Sequence, residues 1–128
     1  MVDVELMVYP LLNENVSSVV WSTGYPQSFD KIDNGIGCII QQDNSVKTTT
    51  SSAIDRISSI AVQIQTWAKT PERRNELDSL IDTQLTGLGL KRGTPGHLTE
   101  TQPNQTTLYR SILLYSGSYD NKMEQIYL

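Results

Sequence analysis

A single cysteine and a single histidine serve a chain of 128 residues, and the two scarcities exclude much. Cys38 alone permits no internal disulfide, and its apolar setting, GIGCII, predicts a buried small side chain. His97 has no second histidine or cysteine near it, so the usual zinc ligand sets are missing. It is also the only imidazole that could activate a Ser or Cys nucleophile, and no G-x-S-x-G elbow exists. Basic excess is lacking too. The formal net charge is −4, which argues against general nucleic-acid binding, and Arg73-Arg74 with Lys91-Arg92 is the only candidate basic patch. No window reaches the roughly 20 apolar residues of a membrane span. The opening MVDVELMVYP has acids where a secretory signal has bases, so a reducing cytoplasm is the expected compartment. Phosphate loops fail by inspection. Gly87-x-Gly89 is followed by Gly93 one residue late for G-x-G-x-x-G, and no G-x-x-x-x-G-K-[ST] is present.

Charged residues make up only 19% of the chain, and Ser, Thr, Asn and Gln fill the difference. Such a polar, uncharged surface suits hydrogen bonding to other proteins, and it equally suits a plain soluble surface. The length is that of one domain, residues 1–128, able to support a modest core.

Val4, Met7, Val8, Leu11 and Leu12 share one face of a short helix, with Asp3 as cap or first-turn acid. Pro10 is expected to kink or stop it. Val19-Val20-Trp21 is a short β-prone run. Gly35, Gly37, Cys38, Ile39 and Ile40 lead a second strand, continuing through Gln41 to Val46 toward a turn at Asp43-Asn44. The two glycines allow unusual backbone angles or a close approach of another segment. Thr48 to Ser52 is an unbroken hydroxyl run, the end of a long hairpin or an arm.

Ile60, Val62 and Ile64 alternate with Ala61, Gln63 and Gln65, the clearest strand in the chain, with Ile57 and Trp67 on the other parity. Thr70-Pro71-Glu72 starts a helix by cap, first-position proline and first-turn acid. Leu77, Leu80, Ile81, Leu85 and Leu88 continue it as a stripe for a sheet, and Gly87 and Gly89 end it. Leu90 to Arg92 starts another strand. Gly93 to Thr107 reads as a polar loop too long for a plain connector. Tyr109–Tyr115 and Lys122–Leu128 close the chain as strands around a turn at Ser116 to Asn121. The fold class is α+β: a mainly antiparallel β-sheet packed by a long capped helix near 70–88 and a short N-terminal helix, with long polar loops or a hairpin arm.

Residues suited to chemistry are few. Glu72/Glu76 and Asp78/Asp82 stand at i, i+4, and a solvated helix face is the plain expectation for each pair. The second pair lies beside the Leu/Ile stripe, within reach of a neighbouring subunit. Tyr109, Tyr115, Tyr119 and Tyr127 crowd the C-terminal part, as interface tyrosines or as ordinary strand residues.

The layout as a whole resembles the tail terminator, or tail completion, proteins of long-tailed bacteriophages. The segments that carry the likeness are VELMVYPLL, VVWSTGYPQSFDKI, IDRISSIAVQIQTWAKTPERRNELDSLIDTQL, GLGLKRGTPGHLTE and LYRSILLYSGSYDNK, with IAVQIQTWAKTPE and GLGLKRG foremost. They cover nearly the full chain and contain no catalytic signature. One departure is Gly35-Ile36-Gly37, where the family pattern has a proline ahead of the first core strand.

The resemblance implies a structural protein of the virion neck, not an enzyme, assembled in the host cytoplasm without cofactor, metal or membrane. Copies would form a homo-oligomeric, hexameric ring that caps the tail tube protein and meets the head-closure or connector protein. Genomic DNA would pass through its lumen without sequence-specific binding. The contact elements would be the arm Thr48, Thr49, Thr50, Ser51 and Ser52, and the loop residues His97, Thr99, Thr101, Gln102, Asn104 and Gln105, with Tyr119; arm and loop would order only in the ring. Competing readings are a head-closure ring and a small cytosolic ligand-binding α+β domain whose polar loop is a lid.

Overall fold

A computed structural model describes residues 4–23, 26, 35–46, 57–102, 106–120 and 125–127. Thr48 to Ser52, Asn104, Gln105 and Asp3 lie outside that set. The described elements are α1 (Val4–Asn15), β1 (Val20–Thr23), β2 (Ile36–Val46), β3 (Ile57–Ala68), α2 (Pro71–Gly87), β4 (Lys91–Arg92), β5 (Gly96–Thr101), β6 (Thr107–Asp120) and β7 (Gln125–Tyr127). They make the expected α+β fold. One sheet runs β1-β2-β3-β6-β4, with β5 and β7 also paired to β6. Every pairing is antiparallel except β1 with β2.

Alternation in β3 assigns the two faces of this sheet. Ile60, Val62 and Ile64 are buried with Leu113 and Tyr115 of β6 on the side covered by both helices, where they gather with Val8, Leu12, Leu77, Ile81 and Leu85. Each such buried aliphatic side chain contributes about 1.5–3 kcal/mol. The Thr70 hydroxyl accepts from the Arg73 N–H at 3.1 Å and caps α2, and Pro71 stands in its first turn. Gly89, at φ 99°, ends the helix in a backbone region that favours glycine. Within the expected stripe, Leu77, Ile81 and Leu85 are buried while Leu80 is 39% exposed.

Both glycines at the head of β2 are required. Gly35 has φ 133°, and a β-carbon on Gly37 would come within 3.0 Å of the Trp21 ring. That ring lies over β2 with its indole N–H donated to the Val16 carbonyl at 3.0 Å.

Four expectations are corrected. Of the two outcomes expected at Pro10, the stop does not occur: helix α1 runs through it to Asn15. Proline inside a helix costs about 3 kcal/mol, and burial of Val8 and Leu12 on either side of it outweighs that. No turn forms at Asp43-Asn44. A bulge between Gln41 and Asp43 absorbs one residue, and pairing with β3 continues to Val46. The segment Ser116 to Asp120 is strand, because β3, β4 and β7 pair with it from both sides and override Ser-Gly-Ser turn propensity. Finally, Gly93 to Thr107 is not one long loop. Gly96–Thr101 forms β5 on β6, and the Gln102 N–H donates to the Thr106 carbonyl at 2.8 Å. Those residues are thus placed as a strand of the chain's own sheet.

Candidate functional site

Register brings the polar side chains together in two places. On the helix side, Thr66, Ser111 and His97 are consecutive partners across β3, β6 and β5. Side chains in register share a face, and α2 passes over this row. The His97 Nε2 meets Asp78 Oδ2 of α2 at 2.8 Å. One turn on, Asp82 accepts from the Tyr115 hydroxyl at 3.0 Å, and Arg92 of β4 lies 3.7 Å from the same oxygen. Asp78 and Asp82 therefore do not stand free on a solvated helix face. They bind the helix to its own sheet, and the Asp78 side chain is only 14% exposed.

Burial, the Asp82 hydrogen bond and the Asp82 charge push the Tyr115 phenol well above its ordinary range, with Arg92 pulling weakly the other way. Tyr115 is thus a protonated donor in the core and not an interface tyrosine.

Ser, His and Asp residue types meet in this row, but not as a hydrolytic triad. The His97 Nε2 is engaged by Asp78, while Ser111 is fully buried and its hydroxyl has no hydrogen-bond partner. A nucleophile needs a base within about 2.6–3.2 Å and access to substrate. Thr66 Oγ1 and Asp78 Oδ1 are the other two buried side-chain oxygens without a hydrogen-bond partner among the described residues.

The second gathering lies on the opposite face. Arg110 of β6 donates to Gln65 of β3 and to Glu100 of β5, the latter at 2.8 Å, and stacks 5.0 Å from the centre of the Trp67 ring. Trp67 packs with Ile36, Cys38 and Leu108 in a small cluster of its own. Desolvation raises the Cys38 thiol to about 11, with Arg110 and a Gln65 backbone hydrogen bond opposing it. A protonated, buried thiol is not a nucleophile. Among the described residues, no three His, Cys, Asp or Glu side chains gather as a metal site, and no helix is long and apolar enough to cross a membrane.

The candidate contact residues are divided by this geometry. His97, Thr99 and Thr101 alternate along β5 on the helix-side face and are exposed. Gln102 follows them and is half-buried. Tyr119 stands eight positions beyond Ser111 on β6, about 26 Å from His97 at strand rise, and packs against the main core. It does not belong with the β5 group. The basic patch is also dispersed. Arg73 pairs with Glu76 and Ser18, and Arg92 with Asp82.

Sequence reasoning missed Arg110, Leu98 and Val20. Arg110 looked like an ordinary strand residue; only register shows what surrounds it. Asp78 and Asp82 were visible as a shared face, but their partners lie 19 and 33 residues away. No family model matches the chain, and no curated protein matches it significantly.

Proposed function

We propose that this chain is a structural subunit of the neck of a long-tailed bacteriophage. A ring of copies caps the tail tube, ends its polymerisation and joins the tail to the head connector. The observation that carries the reading is β5. It is a mostly exposed strand that carries hydroxyl and imidazole residues on a flank where no further described strand pairs, and among the described residues its imidazole, His97, is engaged by Asp78 while the neighbouring Ser111 hydroxyl is buried. Such an element suits assembly, because an open strand takes a partner through main-chain hydrogen bonds. The β3–α2 junction, where the resembling segment IAVQIQTWAKTPE lies, is the rigid scaffold behind it. The negative net charge suits a channel through which DNA slides without sticking.

The test is made on particles. The gene is disrupted in its phage or prophage, and the lysate is imaged by negative-stain electron microscopy. The expected result is DNA-filled heads beside unattached tails of irregular length. Normal tails beside emptied heads assign the chain to head closure instead. Infectious particles of normal form overturn the neck reading.

A further inference from the structure

The sheet ends in two open flanks. Among the described residues, β1 pairs only with β2, and β5 only with β6. Exposed edge strands template the addition of another chain, and proteins commonly guard them with lysine, proline or free charge. Among the described residues, neither edge strand carries a lysine, a proline or an unpartnered charge. Strand β1 is VWST. Strand β5 is GHLTET, with Glu100 held by Arg110 and His97 held by Asp78.

Register links the two flanks. Val20, Ile36, Trp67, Arg110 and Leu98 are successive partners across β1, β2, β3, β6 and β5, and they form one row on the face away from the helices. Its middle is closed, with Ile36 and Trp67 buried. Its two ends are the most exposed large hydrophobic residues described, Val20 at 62% and Leu98 at 47%. The row thus ends in an exposed apolar side chain at each edge of the sheet, on the same face, so a second copy of the sheet could offer each end an apolar partner.

Strand sense agrees. Strand β1 is parallel to β2, and each later step to β3, β6 and β5 reverses direction. So β1 and β5 run oppositely. A copy rotated about an axis along the strands keeps both strand sense and face, so its β5 meets β1 antiparallel, the more stable ladder. We propose that β5 of one copy adds to β1 of the next, with Leu98 seated against Val20. The contact joins two different patches, so repetition yields a ring or an open filament. It rests on the neck reading only for closure into a ring; the choice of edges stands on the register and exposure.

The test is cysteine pairing in the full-length chain. Within one chain Val20 and Leu98 stand four strand spacings apart, about 19 Å, far beyond the roughly 4.4–6.8 Å that a disulfide spans. Cys38 is fully buried and takes no part. A Val20→Cys/Leu98→Cys double variant under mild oxidation is expected to give a ladder of interchain disulfides, and neither single variant gives one. Leu98→Lys, checked for folding by circular dichroism, is expected to lower oligomer yield about tenfold or more, as a charge on the edge strand would. Dimers from the Leu98→Cys single variant would overturn the proposal in favour of like-with-like pairing.

Native mass spectrometry of the unmodified chain separates the two ideas. A ladder that closes at a ring upholds both, whereas an open-ended ladder upholds the edge contact and overturns the ring. Oligomers without a ladder overturn the edge assignment alone. A monomer without a ladder overturns both.

Discussion

On the helix side of the sheet, Ile60, Val62, Ile64 and Leu113 meet the aliphatic stripe of α2 and the buried residues of α1. On the other side, Arg110 is held among Trp67, Gln65 and Glu100, and Leu114 and Leu98 remain partly exposed around it. Strands β3 and β6 build both faces from alternate residues of the same segments. The first face is held by volume: its energy is apolar area removed from water, and it fails when atoms are deleted. The second is held by specific partners, and it fails when one partner leaves and another stays buried.

The largest expected effect contrasts the two directly. Ile81→Ala is expected to lose about 2–5 kcal/mol by chemical denaturation, from lost transfer energy and a cavity. Leu114→Ala, on the open face, is expected to change stability by less than about 0.5 kcal/mol. Similar losses at both sites would break the comparison, and would mean that a covering layer lies over Leu114.

Next is Arg110→Ala, expected to lose about 1–3 kcal/mol because Gln65, 2% exposed, loses its guanidinium partner. Arg110→Met keeps a long stem over Trp67. If it restores full stability in the same denaturation experiment, packing alone holds this face and the polar account is wrong.

Alkali reads both faces in order. Cys38 has its proton held up to about 11 against an ordinary 9.0. Above pH 9.0 the unfolded chain releases that proton while the folded chain keeps it, so stability is full below 9.0 and falls up to about 11. Tyr115 has the same sign, starting from its ordinary 10.0. Urea midpoints followed against pH should therefore fall from about 9 upward. Cys38→Ala should flatten the early part and Tyr115→Phe the later part. A flat profile in the unmodified chain would mean that neither group resists ionisation.

The smallest effect sharpens the contrast from within the helix side. The Thr66 hydroxyl is buried without a hydrogen-bond partner among the described residues. Thr66→Val keeps the shape and removes the unpaired oxygen, so thermal denaturation should show stability unchanged or raised by about 1 kcal/mol. A loss of that size would show that the hydroxyl has a partner in solution.

Much of this fold was legible in the chain. The period-2 run of Ile60, Val62 and Ile64 assigned β3 and its buried face, and Thr70-Pro71-Glu72 with Gly89 bounded α2 within a residue or two. Gly35 and Gly37 were correctly marked for special backbone geometry or close approach. The sites were less legible. His97, Thr99 and Thr101 stand together on one face, but on a strand where a loop was anticipated. Tyr119 faces the core instead, because parity along an unexpectedly continuous β6 turns it inward.

The division has a physical cause. Alternation, capping and left-handed glycines act over a few residues, so the sequence alone determined β3, α2 and the presence of one α+β core. Helix α1 passing through Pro10, strand formation across Ser116 to Asp120, β5 on the flank of β6, and the contacts of Asp78, Asp82 and Arg110 were decided only in the tertiary structure. Each depends on partners distant in the chain, and their pairing and burial outweigh a local propensity of about 1–3 kcal/mol.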